Sequence, residues 1–124
     1  MAYPDDLKYT RDHEWVRRDG EHADVGITDY AQAQLGDVVF VELPDVGRVL
    51  APGEVFGTIE SVKAVSELFS PVAGEVVAVN DAVSSAPETV NAEPHATWLI
   101  RLKVADPTQF DALLDAAAYT AHVG

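Results

Sequence analysis

The sequence predicts a mainly β fold, a small sandwich or barrel, with one short internal helix and one C-terminal helix. Three observations carry this. Short β-branched runs recur at regular spacing between clusters of turn residues. Two stretches carry helix signatures. Gly36-Asp37-Val38-Val39-Phe40-Val41 is echoed by Gly74-Glu75-Val76-Val77-Ala78-Val79, as a fold of two similar halves would leave behind.

Val25-Gly26-Ile27 reads as a short buried strand. Thr28 follows as an N-cap whose hydroxyl can accept from a free N–H of the first turn. Asp29–Leu35 supplies about two helical turns with Tyr30 and Ala33, and then Ala31 and Leu35, facing inward. Gly36 ends the helix because glycine takes the left-handed conformation without a Cβ penalty. Asp37–Leu43 is β-rich, Pro44-Asp45-Val46-Gly47 is a turn, Val49-Leu50 is a strand and Ala51-Pro52-Gly53-Glu54 is a second turn. Thr97–Val104 alternates, with Trp98, Ile100, Leu102 and Val104 on one side. Asp106-Pro107 opens the last helix, over about 107–119, because Phe110, Leu113, Leu114 and Ala117 form one apolar stripe. The strand-rich core spans about 24–104 of a single domain, 1–124.

Composition narrows the function. The chain has 124 residues, 48% of them hydrophobic, enough for one modest core. No apolar run is long enough to span a bilayer. The start, Met1-Ala2-Tyr3-Pro4-Asp5-Asp6, has neither the basic nor the apolar region of a signal peptide, which points to the cytoplasm. With no cysteine, disulfides, thiolate metal sites and a cysteine nucleophile are excluded. A net charge of −13 argues against nucleic acid and suits a surface that steers basic partners. His13, His22, His95 and His122 show no metal-ligand spacing, so no metal is expected.

Lys63 stands out, because lysine occurs elsewhere only at positions 8 and 103. Its local geometry is open. Val62, Val65 and Phe69 have helical spacing, whereas Phe56, Thr58 and Glu60 alternate with Val55, Gly57 and Ile59 as in a strand, with Ser70-Pro71 and Gly74 as boundaries. A catalytic lysine needs a desolvating pocket, and Glu60, Ser61, Ser66 and Glu67 argue against one. A lysine acylated on its amine must instead protrude, as at a turn tip. An incidental surface lysine on an unmodified binding module is the plain alternative.

Several blocks together resemble the H protein family of the glycine cleavage system. They include Asp12-His13-Glu14-Trp15-Val16, Val25-Gly26-Ile27-Thr28-Asp29-Tyr30-Ala31-Gln32 and Leu35-Gly36-Asp37-Val38-Val39-Phe40-Val41-Glu42-Leu43-Pro44. Glu60-Ser61-Val62-Lys63-Ala64, Ser70-Pro71-Val72-Ala73-Gly74-Glu75-Val76, Val90-Asn91 and Leu113-Leu114-Asp115-Ala116 complete them. Ordinary lipoyl domains lack the first two blocks, and biotin carriers have Met on both sides of the lysine.

The resemblance implies a barrel-sandwich hybrid of two small sheets, with lipoate amide-linked to Lys63 at a hairpin tip. It implies a carrier, not an enzyme, with no catalytic residues: a shuttle for the methylamine group of glycine. Its partners would be a pyridoxal-phosphate glycine decarboxylase, a tetrahydrofolate-dependent aminomethyltransferase, dihydrolipoyl dehydrogenase and a lipoate-attaching enzyme, and the chain would be a monomer. Glu14 and Glu67, helped by Asp12, Thr28 and Asp29, are the candidates for holding the loaded arm, since a carboxylate can pair with a cationic amine. A relay that donates lipoate or octanoate to other acceptors is the alternative function. Asn91-Ala92-Glu93-Pro94-His95-Ala96-Thr97-Trp98 departs from the family pattern. It is one residue shorter and lacks a glycine, which implies a different turn. His13 and Glu14, if adjacent on a strand, would face opposite ways, and Trp15 and Trp98 are expected in or beside the core.

Overall fold

A computed structural model describes residues 3–124; Met1 and Ala2, where the reading of the N-terminus begins, lie outside the described residues. The chain runs β1 (Lys8–Tyr9), β2 (Glu14–Asp19), β3 (His22–Ile27), α1 (Asp29–Leu35), β4 (Val38–Glu42), β5 (Val49–Leu50), β6 (Val55–Ser61), β7 (Val65–Phe69) and β8 (Gly74–Val79). It continues through α2 (Asp81–Ser85), α3 (Thr89–Ala92), β9 (Ile100–Val104), a 3-10 turn over Pro107–Ala112 and α4 (Ala116–Val123).

The strands form two antiparallel sheets. One has six strands in the order β1-β2-β3-β9-β8-β5; the other has three, β4-β6-β7. The core lies between them. Val25, Val76, Ile100 and Leu102 from the larger sheet meet Val41, Phe56, Ile59 and Leu68 from the smaller, all nearly or fully buried. Each such side chain contributes about 1.5–3 kcal/mol when removed from water. The two echoed segments fall one in each sheet, as β4 and β8.

A second cluster seals the far side of β2: Leu7, Tyr9, Trp15, Ala116 and Tyr119. Trp15 is fully buried there, with its indole N–H donated to the Pro94 carbonyl at 2.8 Å, while Trp98 is half-buried. Gly26 is required opposite Trp15, since a Cβ on it would come within 2.5 Å of the indole.

Thr28 caps α1 by accepting from the Ala31 N–H at 3.2 Å, and Gly36 closes the helix with φ +78°. Ala31 and Leu35 pack on the core and Tyr30 is half-buried. Ala33, expected inward, is exposed. With Ala31 and Leu35 four residues apart on the buried face, the residue midway between them must point away.

The C-terminal stretch differs from the single helix expected over 107–119. Asp106 does cap a turn at Pro107, but as a 3-10 helix that ends at Ala112. Leu114 is then held extended by Tyr9, through two backbone hydrogen bonds of 2.8 Å. Asp115 starts a fresh helix, accepting from the Ala118 N–H at 2.8 Å. The apolar spacing survives the break because Phe110 joins the main core and Leu114 the second cluster. The segment read as a strand from Thr97 becomes regular only at Ile100.

Candidate functional site

Lys63 sits at the tip of the β6–β7 hairpin, in a turn made by Val62, Lys63 and Ala64. The helical alternative for this stretch is overturned: β6 and β7 pair from Val55↔Phe69 to Glu60↔Val65. Ser61 builds the turn. Its N–H donates to the Ala64 carbonyl at 2.8 Å, and its Oγ accepts from the N–H groups of Ala64 at 3.0 Å and Lys63 at 3.3 Å. One hydroxyl thereby satisfies the donors of a tip that has no sheet partner. Lys63 is exposed, and no ion pair among the described residues involves it.

Beside the hairpin lies a groove of about 310 Å³ between β7, α1 and the start of β2. Ile27, Ile59 and Leu68 form its apolar floor, and Ala31, Leu35, Ala64 and Val65 its walls. Asp12, His13, Glu14 and Glu67 also line it.

Glu14 is 2% exposed, so it is not a solvated surface charge. Burial pushes its carboxyl up from 4.5 to about 8, and the hydrogen bond from Thr10 only partly opposes this. The Thr10 hydroxyl donates to Glu14 Oε1 at 2.7 Å, while Thr10 Oγ1 accepts from the Glu14 N–H at 3.1 Å and the Asp12 N–H at 3.2 Å. At neutral pH the groove therefore presents Glu14 mainly as a neutral acid. Glu67 is exposed on the rim.

His13 precedes β2 and has φ +74°, so the two-faced strand argument does not apply to it. Its Nδ1 meets the Tyr119 hydroxyl at 2.8 Å, and that hydroxyl meets Thr28 Oγ1 at 2.7 Å. Burial, and then the nearby His122, lowers the His13 pKa. Burial raises that of Tyr119 well above the phenol range, which keeps it a neutral hydroxyl.

The structure brings together Glu14, Glu67 and Asp12 but not Thr28 and Asp29. Thr28 is fully buried and spends its hydroxyl on Ala31 and Tyr119. Asp29 lies outside the groove lining and accepts from the Gln32 amide at 3.0 Å. The glycine-free stretch after Pro94 closes by hydrogen bonds from the N–H groups of Ala96 and Thr97 to the Glu93 carbonyl, with no positive φ among residues 94–98. His95 then turns its Nε2 toward the first N–H of α1 and accepts from Asp29 at 3.1 Å. Sequence reasoning missed Thr10 and Ser61 as site builders. Their signal was a hydroxyl placed to serve backbone N–H groups within the next few residues.

The family model for the glycine cleavage H-protein matches residues 7–124. The glycine cleavage system H protein of Anaeromyxobacter sp. (strain K) is 58% identical over 124 residues, covering 99% of this chain and 97% of that protein. That of Myxococcus xanthus is 57% identical over 119 residues, covering 95% and 92%. A crystal structure of a glycine cleavage system H protein from Mycobacterium marinum superposes with a TM-score of 0.87 at 39% identity, covering 98% of this chain and 99% of that one. The two sheets are thus the barrel-sandwich expected, and with a family model and relatives above half identity spanning nearly its whole length, the chain belongs to the glycine cleavage H-protein family.

Proposed function

We propose that Lys63 carries lipoate as an amide on its Nζ, and that the chain works through it as the carrier of the glycine cleavage system. The observation that carries this reading is the placement of an exposed lysine, in no ion pair among the described residues, at a locked hairpin tip beside a groove of about 310 Å³. A lipoyl group is an aliphatic chain ending in a five-membered disulfide ring, and the residues fit it. The apolar floor of Ile27, Ile59 and Leu68 suits the chain and ring, and Ala64 and Val65 of its walls directly follow the attachment point in sequence. When bound, lipoate supplies a disulfide that takes up a one-carbon amine unit on opening and is restored by oxidation, which needs no cysteine from the protein.

The chain's own residues attach, position and shelter. Ser61 holds the tip; Ile27, Ala31 and Leu35 exclude water from one side of the groove. Glu14 receives a cationic amine by giving up the proton that burial keeps on it, so that docking releases one proton. Glu67 and Asp12 add negative charge at the rim. None of these residues performs the reaction, so the protein is a carrier rather than an enzyme. The decarboxylase, the aminomethyltransferase, dihydrolipoyl dehydrogenase and a lipoate-attaching enzyme are the partners of this role, and we place them with it in the cytoplasm of a bacterium. Membership in this family does not favour the relay reading.

Expression with a lipoate ligase followed by intact-mass measurement and peptide mapping tests the assignment. One lipoyl mass on the peptide containing Lys63, absent in Lys63→Arg, is the expected result. Lipoyl mass retained in the variant would sink the assignment.

A further inference from the structure

Asn91 belongs to α3, outside the groove, yet all of its side-chain amide is spent on one corner of the chain. Its Nδ2 donates to the Gly36 carbonyl at 2.8 Å and to Gln32 Oε1 at 2.9 Å, and its Oδ1 accepts from the Val38 N–H at 2.8 Å. An amide has two donors and can accept through its oxygen, so both donors are used and the oxygen is engaged. The three partners bracket the corner where α1 ends and β4 begins.

That corner touches the lysine tip in two places. The Asp37 carbonyl, between Gly36 and Val38, accepts from the N–H of Val62 at 3.1 Å, one residue before Lys63. Gly36, at φ +78°, lies beside the lysine stem, since a Cβ there would stand in ordinary contact with Lys63 Cε, at 3.5 Å. The corner is therefore both the anchor of the tip and the seat of the stem. The Gly36 N–H donates to the Gln32 carbonyl at 2.9 Å, but the Gly36 carbonyl and the Val38 N–H on either side of Asp37 are both served by Asn91.

We infer that Asn91 is a positioning residue for Lys63: its amide clamps the α1–β4 corner, and the corner in turn fixes where the amine stands when an acylating enzyme approaches. In that acylation the Nζ lone pair forms the amide bond to the carbon of an activated acyl donor. The leaving group departs with the electron pair of the bond it loses, and Nζ releases a proton to solvent. A displaced amine slows this step, because bond formation demands alignment of the two reacting atoms. The functional half of the inference rests on the carrier role of Lys63; the clamp itself does not.

Amide hydrogen exchange tests the clamp, with Val62 as reporter of the tip and Ile100 as reporter of the larger sheet. Asn91→Asp keeps an acceptor for Val38 but sets a carboxylate oxygen against the Gly36 carbonyl and Gln32 Oε1. At pH 7 the protection of Val62 is expected to fall about tenfold while that of Ile100 holds within about twofold, as for a local opening. Protonating the new carboxyl returns a donor, so Val62 protection relative to wild type should recover as the pH is lowered. Asn91→Leu, which has no donor at any pH, should show no such recovery. In parallel, kcat/KM for lipoyl transfer by a lipoate ligase should fall about tenfold in Asn91→Asp at pH 7 and recover over the same pH range.

Unchanged Val62 protection in folded Asn91→Asp overturns the clamp, and so does an equal loss at Val62 and Ile100, which would mark a purely global effect. If Asn91→Leu does not fold, the pH response of Asn91→Asp decides alone. Absence of lipoyl uptake by the wild-type chain would remove the carrier role and leave the exchange measurement to judge the clamp.

Discussion

Glu14 shows how far one residue can depart from what its letter implies. The sequence marks it as an acidic candidate, but its burial comes from β2 and β7 closing around it, where the carboxyl meets Thr10 and the Phe69 backbone, and no local pattern announces that. Its folded pKa of about 8 lies above the ordinary 4.5, so the folded state holds its proton more tightly than the unfolded state. The stability this group contributes is fully present below pH 4.5 and is lost as the pH rises through about 8. Glu14→Gln keeps the neutral shape and removes that loss. Chemical denaturation at pH 9 should find the variant more stable than wild type by on the order of 4 kcal/mol, with little difference at pH 4. Lys63 was the opposite case. Its scarcity and its polar neighbours made it legible from the sequence, whereas Thr10 was less so: a hydroxyl ahead of free backbone N–H groups is a weak local signal, and its bond to the Glu14 carboxyl leaves none.

Among the elements, α1 was read almost to the residue because its signals are local: Thr28 before it, Gly36 after it. What supports its first N–H was not. His95 supplies an unprotonated Nε2 there, from a loop whose sequence showed only that a glycine was missing. Burial lowers the His95 pKa below 6.5, so the unfolded chain takes up a proton more readily than the folded one. The neutral imidazole's contribution is present above pH 6.5 and is lost as the pH falls through the folded value. His95→Ala should cost about 1 kcal/mol at pH 7.5, the worth of one hydrogen bond, and should flatten part of the acid side of the stability profile. His13, whose pKa is lowered in the same direction, leaves the remaining slope. Thermal melts of both proteins across pH 5–8 check this. The C-terminal helix failed as an expectation for the converse reason. Its stripe was real, but Tyr9, more than a hundred residues earlier, captures the backbone of Leu114 and breaks the helix there.

For the whole molecule, the sequence told that strands exist and not how they order. β3 pairs with β9 across most of the chain, and such long-range neighbours leave no periodicity. Charge, by contrast, is a global property that is legible at once. At −13, the chain carries a field that draws basic partners together with it faster than diffusion alone and that salt screens. Raising the ionic strength from 0.01 to 0.5 M is expected to lower kcat/KM for lipoyl transfer onto Lys63 by about tenfold, with kcat nearly constant. A salt-independent kcat/KM in steady-state assays would show that the field plays no part in the encounter.

The bridge between Tyr9 and Leu114 ties the two ends of the polypeptide into a single buckle over the Trp15 cluster. Neither end can be trimmed back past it without unfastening the other. A ribosome must therefore deliver the segment through Leu114 before Trp15 finds shelter, whereas the groove, whose lining runs only as far as Leu68, does not wait for it.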